Sequence, residues 1–93
     1  MKTIWKYKIP INDDIHEIRI PLNAKILKVD HQDNPQIIVM WAEVTDNAPR
    51  IIKHYRVFGT GHEIPNDSLW MGTCQIGKFV WHLYELLWMG IET

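Results

Sequence analysis

One cysteine, no run of like charge longer than Asp13–Asp14 and no apolar stretch long enough for a bilayer set the first limits on this chain. With Cys74 alone an intramolecular disulfide is impossible, which points to a reducing compartment, and Cys74 itself reads as a small buried hydrophobe. The longest apolar-rich run, Phe79–Ile91, contains His82 and Glu85 and is too short and too polar to span a membrane. The opening MKTIWKYKIPI has no apolar h-region with a small-residue cleavage site, so no secretory signal is expected. These absences predict a soluble, cytoplasmic protein with no membrane partner. The formal net charge of −1 argues against duplex nucleic acid, which needs a clustered basic face.

Catalytic and metal-binding patterns are also missing. His54, His62, His82 and Cys74 match no usual zinc-ligand spacing, and neither HExxH nor CxxC occurs. A cysteine nucleophile would need Cys74 beside His62 or His82, and nothing around GTCQI marks a helix N-terminus or an electropositive pocket. Glu63 and Glu85 are two acids far apart in sequence rather than a hydrolase pair. We therefore expect no metal, no cofactor and no catalytic residue.

What is present is short-period alternation. The 93 residues make one domain with one core, and 46% hydrophobic content is ordinary for a folded protein. TIWKYKI alternates, with Thr3, Trp5, Tyr7 and Ile9 on one face and Lys2, Lys6 and Lys8 mostly on the other. HEIRI sets Ile18 and Ile20 against Glu17 and Arg19. AKILKVDHQ sets Leu27 and Val29 against Lys25 or Lys28, and QIIVMWAEV is a continuous apolar run suited to a central strand. RIIKHYRVF, LWMGTCQI and FVWHLYELL follow, separated by Pro, Asn, Asp and Gly turns. The reading is all-β: a small antiparallel sandwich or barrel of roughly six or seven short strands. Residues 3–85 form its core, and 86–93 an apolar C-terminal extension.

Five tryptophans are many for this length. Trp5, Trp41 and Trp81 lie inside strands and read as core, whereas Trp70 and Trp88 are the candidates for exposure. An apolar tail that a small core cannot hide predicts a homo-oligomer, with Leu86, Leu87, Trp88 and Met89 in the contact.

The segment RVFGTGHEIP carries the candidate ligand site. It is neither a Walker loop nor GxGxxG, and no strand–helix unit surrounds it. Glycines can still aim successive backbone N–H groups at one anion. Gly59, Thr60 and Gly61 form that candidate cradle, with His62 beside it, His82 approaching from the last strand and Arg56 adding charge if its register turns it to the same side. The competing reading is a strand-ending glycine turn capped by His62.

WKY, AKILKV, FGTGHEI and GTCQIGKFVWHLYE together resemble a family of small uncharacterised proteins encoded by phages, prophages and bacteria. The likeness runs from Trp5 to about Glu85, leaving the tail from Leu86 outside it. His62 and His82 fall within its motif segments, while His16, His31 and His54 fall outside. The resemblance implies a phage or prophage origin and supplies no substrate. The expectation is a non-enzymatic accessory protein that binds a small anionic, nucleotide-like ligand, sequestering a host defence signal by analogy of origin. The alternative is a protein–protein interaction module using exposed tryptophans and the tail, and the least favoured is a small enzyme.

Overall fold

The first strand follows its alternation. In β1 (Lys2–Pro10) Trp5, Tyr7 and Ile9 turn inward while Lys2, Lys6 and Lys8 stay in water. The computed structural model describes residues 1–32 and 34–87. It contains six further strands: β2 (His16–Pro21), β3 (Lys25–Gln32), β4 (Asn34–Thr45), β5 (Arg50–Gly59), β6 (Ser68–Ile76) and β7 (Phe79–Leu86). They form two antiparallel sheets, ordered β1-β4-β3 and β2-β5-β7-β6. No α-helix occurs among the described residues, and no described helix is long and apolar enough to cross a membrane. The fold is an all-β sandwich.

The apolar run of β4 takes the central place of its sheet. Ile38, Met40, Ala42 and Val44 meet Ile9, Ile20, Tyr55, Val57, Cys74 and Leu83 between the layers. Fully burying one such aliphatic side chain stabilises by roughly 1.5–3 kcal/mol. The tryptophans differ from the sequence reading. Trp5 and Trp81 are half-buried and pack against the core from its margin, and Trp41 lies outside the core cluster. Trp41 pairs with Lys6 and Lys28, so alternation along β4 turns it to the outer face while Met40 and Ala42 turn inward.

The third strand also departs from simple alternation. Ile26 pairs with Ala42 and Lys28 with Trp41, so Leu27 is an extra residue in a β-bulge. The bulge shifts the phase by one: Ile26 and Val29 face the core, and Leu27 is exposed. A second bulge between Trp70 and Gly72 reshapes β6. There the sheets approach so closely that a Cβ on Gly72 would lie 2.5 Å from the Val29 Cβ.

Candidate ligand-binding site

The site grows from the end of β5. Alternation sends Tyr55 and Val57 into the core, hence Arg56 and Phe58 to the outer face of the four-stranded sheet. Register places Arg56 opposite Tyr84 and Phe58 opposite His82, with Thr73 of β6 on the far side of His82. Arg56 therefore shares its face with His82, the condition on which its sequence assignment depended.

Past Gly59 the chain reverses in one turn. The His62 amide donates to the Gly59 carbonyl at 3.1 Å, and Gly61, third in the turn, has φ 92° with open space around it. That is the type II pattern, which needs glycine there. The Gly59 amide donates to His62 Nδ1 at 3.1 Å. Nδ1 is thus an acceptor, and the remaining ring proton of the neutral imidazole sits on Nε2, free to donate outward. A Cβ on Gly59 would press on the His62 ring at 3.1 Å and on Trp81 at 3.3 Å, so this glycine makes room for the folded-back imidazole. Both glycines serve the turn. Two of its amides are already committed within it, so a cradle using the Gly59 amide would require His62 to leave.

His82 is held at both nitrogens. Nδ1 lies 2.9 Å from the Thr73 hydroxyl and Nε2 3.0 Å from the Thr60 hydroxyl. Trp70 Nε1 donates to Thr73 Oγ1 at 2.9 Å, and Thr60 donates to the Val80 carbonyl at 3.5 Å. One direction satisfies every group: Trp70 N–H to Thr73, Thr73 O–H to Nδ1, Nε2–H to Thr60, Thr60 O–H to Val80. This chain ties the turn to β7 and β6, and it spends both His82 nitrogens on protein groups. His82 positions Thr60 rather than reaching toward a ligand.

The connection after the turn folds back over the outer face. Ser68 Oγ donates to the Pro65 carbonyl, and the Leu87 amide to the Asp67 carbonyl at 3.0 Å. Segment 62–66, Arg56, Phe58 and Asp13 wall an open cleft of about 570 Å³. Phe58 is only 4% exposed although it points away from the core, and it meets Tyr84 edge-on at 5.7 Å. The Arg56 guanidinium lies 5.2 Å from the Phe58 ring centre, and its Nε is buried with no hydrogen-bond partner. Among the described residues no carboxylate pairs with Arg56. A buried cationic donor without a partner is costly, and Arg56 lines the cleft, where its guanidinium can meet a ligand oxyanion. Asp13 and Glu63 add acceptors on the same walls.

The turn thus joins His62 to Gly59 and Thr60 to His82, and the cleft joins Arg56 to His62. Phe58, Ile64 and Pro65 were not singled out from sequence, although the alternation of β5 puts Phe58 beside Arg56, and Glu63 was weighed only as a hydrolase acid. Cys74 faces the core opposite Trp81, on the side of its sheet away from His82, and burial, aided by Asp30, pushes its thiol up. It is no nucleophile for this face. Of the expected contact residues, Leu86 is buried within the chain, at 2% exposure, and Leu87 is exposed. Trp88 and Met89 lie outside the described residues. Trp70, on the edge strand β6, is 57% exposed.

The model of the family described as Domain of unknown function (DUF7352) matches residues 1–88. Comparisons with curated proteins and with solved structures gave no match. The match extends beyond Glu85, so the family pattern includes Leu86, Leu87 and Trp88, which the sequence reading had set apart. The chain belongs to this family of domains of unknown function.

Proposed function

We propose that this family member is a binding protein for a small anionic, nucleotide-like ligand, held in the cleft between Arg56 and His62. The observation that carries the reading is the buried, unpartnered Arg56 Nε beside an open cleft. Arg56 takes the phosphate, His62 Nε2–H adds a second donor, and Phe58, Ile64 and Pro65 give an apolar wall. Asp13 and Glu63 accept from hydroxyl or amino groups at the ligand's other end. The ligand is retained without chemistry. In a phage or prophage setting the role is to sequester a nucleotide signal in the host cytoplasm, an argument by analogy of origin.

A thermal-shift panel of nucleoside mono-, di- and triphosphates tests this. A ligand at a hundred times its Kd stabilises the native state by about 2.7 kcal/mol, a clear rise in Tm. Arg56→Gln should abolish the rise. A panel in which no nucleotide moves the parent Tm would end the proposal.

A second reading has its own support. Leu69 and Trp70 are half or more exposed on the edge strand β6, where a second chain can add. It proposes a homo-oligomer or protein partner at that edge. Sedimentation at micromolar concentration giving only the 11.0 kDa monomer would dismiss the homo-oligomer.

A further inference from the structure

The near-neutral net charge conceals a segregated one. On the outer face of the three-stranded sheet, strand pairing lines up Lys6, Trp41 and Lys28 as one rung. Lys8, Val39 and Asp30 form the next rung on one side, and Ile4, Glu43 and Lys25 the next on the other, with Lys2 beyond. Ion pairs at 3.7 Å, Lys28 to Asp30 and Lys2 to Glu43, place these groups on one surface. Among the described residues this face carries five lysines against two carboxylates, an excess of three positive charges. The chain's formal total is −1, so the remainder holds −4. A local potential, not the net charge, governs association with a polyanion.

Lysines on β1 and β3, the two edges of this sheet, would also discourage edge-to-edge pairing. That role is met by charge of either sign and needs nothing at the centre. Here one sign dominates, and it brackets an indole on the central strand: the Lys28 Nζ lies 6.0 Å from the Trp41 ring centre. Lys6, Lys8 and Lys25 have no carboxylate partner among the described residues.

We propose that this face binds single-stranded nucleic acid, with phosphates on the lysine rails and a base lowered onto Trp41 in place of the Lys28 ammonium. Stacking on an aromatic between cationic rails is how sequence-tolerant single-strand binding works. A duplex keeps its bases internal, where Trp41, half-buried on the central strand, cannot stack on them. An anionic bilayer would meet the lysines alone and offers no planar ring to stack on Trp41. This site is on the opposite sheet from the Arg56–His62 cleft and stands independently of it.

Fluorescence anisotropy with a fluorescein-labelled twelve-nucleotide oligothymidylate, at 50 mM salt and upward, tests the proposal. The parent protein should bind, with log affinity falling against log salt by about 0.7 per phosphate contacted. The triple change Lys6→Gln, Lys8→Gln, Lys28→Gln should weaken binding at least tenfold and flatten the slope by about 2. Lys8→Glu alone should weaken it severalfold, which keeps the test decisive if the triple variant folds poorly. Trp41→Leu should weaken binding about fivefold or more with the slope unchanged. The proposal is overturned if the parent gives no anisotropy change at 50 mM salt, or if Lys8→Glu binds as tightly as the parent. It also fails if vesicles containing phosphatidylserine compete the oligonucleotide away while unlabelled oligothymidylate does not.

Discussion

The two sheets obey the same alternation, yet their outer faces have opposite fates. On β1-β4-β3 the five lysines of the outer face remain solvated, and Val39, 1% exposed, lies on the rung between Lys8 and Asp30. On β2-β5-β7-β6 the connection from β5 to β6 folds back across the sheet. Phe58 and Leu86 are then buried outside the main core, Arg56 Nε loses water without gaining a partner, and His82 is clasped by two hydroxyls. A covered face turns single polar groups into selective donors, because each is stronger and costlier away from water. An open face leaves its charges weak singly and effective only together.

The sharpest way to break this contrast is at Phe58. Phe58→Ala should lower stability by about 3–5 kcal/mol in urea unfolding, whereas Ile4→Ala on the open face should stay within about 0.5 kcal/mol. Similar losses from both would erase the distinction between covered and open faces. Next in size is His62→Ala, which removes a donor to a charged group: about 1.5–3 kcal/mol, roughly ten- to a hundredfold in nucleotide affinity by calorimetry, with the fold retained. Gly72→Ala sharpens the comparison from between the sheets. Its Cβ meets Val29 within 3 Å, so stability should drop by about 1–3 kcal/mol while both ligand affinities hold.

The smallest effect at neutral pH is Tyr55→Phe, and it emerges only in alkali. Burial, reinforced by Glu85 and Tyr7, holds the Tyr55 phenol well above its ordinary value of about 10. The folded state disfavours the tyrosinate, so the stability from neutral Tyr55 is full below pH 10 and is lost as pH rises beyond it. Alkaline unfolding should begin above about pH 10 and move to higher pH in Tyr55→Phe. An unchanged midpoint would mean another group governs it.

Much of the fold was legible because a half-buried strand writes its faces with period two. β1 gives Trp5, Tyr7 and Ile9 inward, and the unbroken apolar run of β4 correctly reads as a central strand. Bulges were not legible: Leu27 looks like a core residue until one sees that β3 has an extra residue opposite β4. Of the candidate site, the sequence reading named Arg56, Gly59, Thr60, Gly61, His62 and His82; the structure sets Arg56 and His62 on one cleft and spends the Gly59 and His62 amides and both His82 nitrogens within the protein. The Thr73–His82–Thr60 chain depends on strand register between distant segments, so no local pattern announces it. The lysine face was hidden for the opposite reason: summing charge over the chain discards the positions that matter.

Two titrations followed by backbone amide NMR test the division of labour most directly. A nucleoside triphosphate should shift amides of residues 56–66 and leave β1 and β3 unmoved. The oligothymidylate should shift residues 2–8 and 25–30 and leave the turn unmoved. If the triphosphate moves only the lysine face, or both ligands move the same residues, the account of two faces with two tasks is wrong.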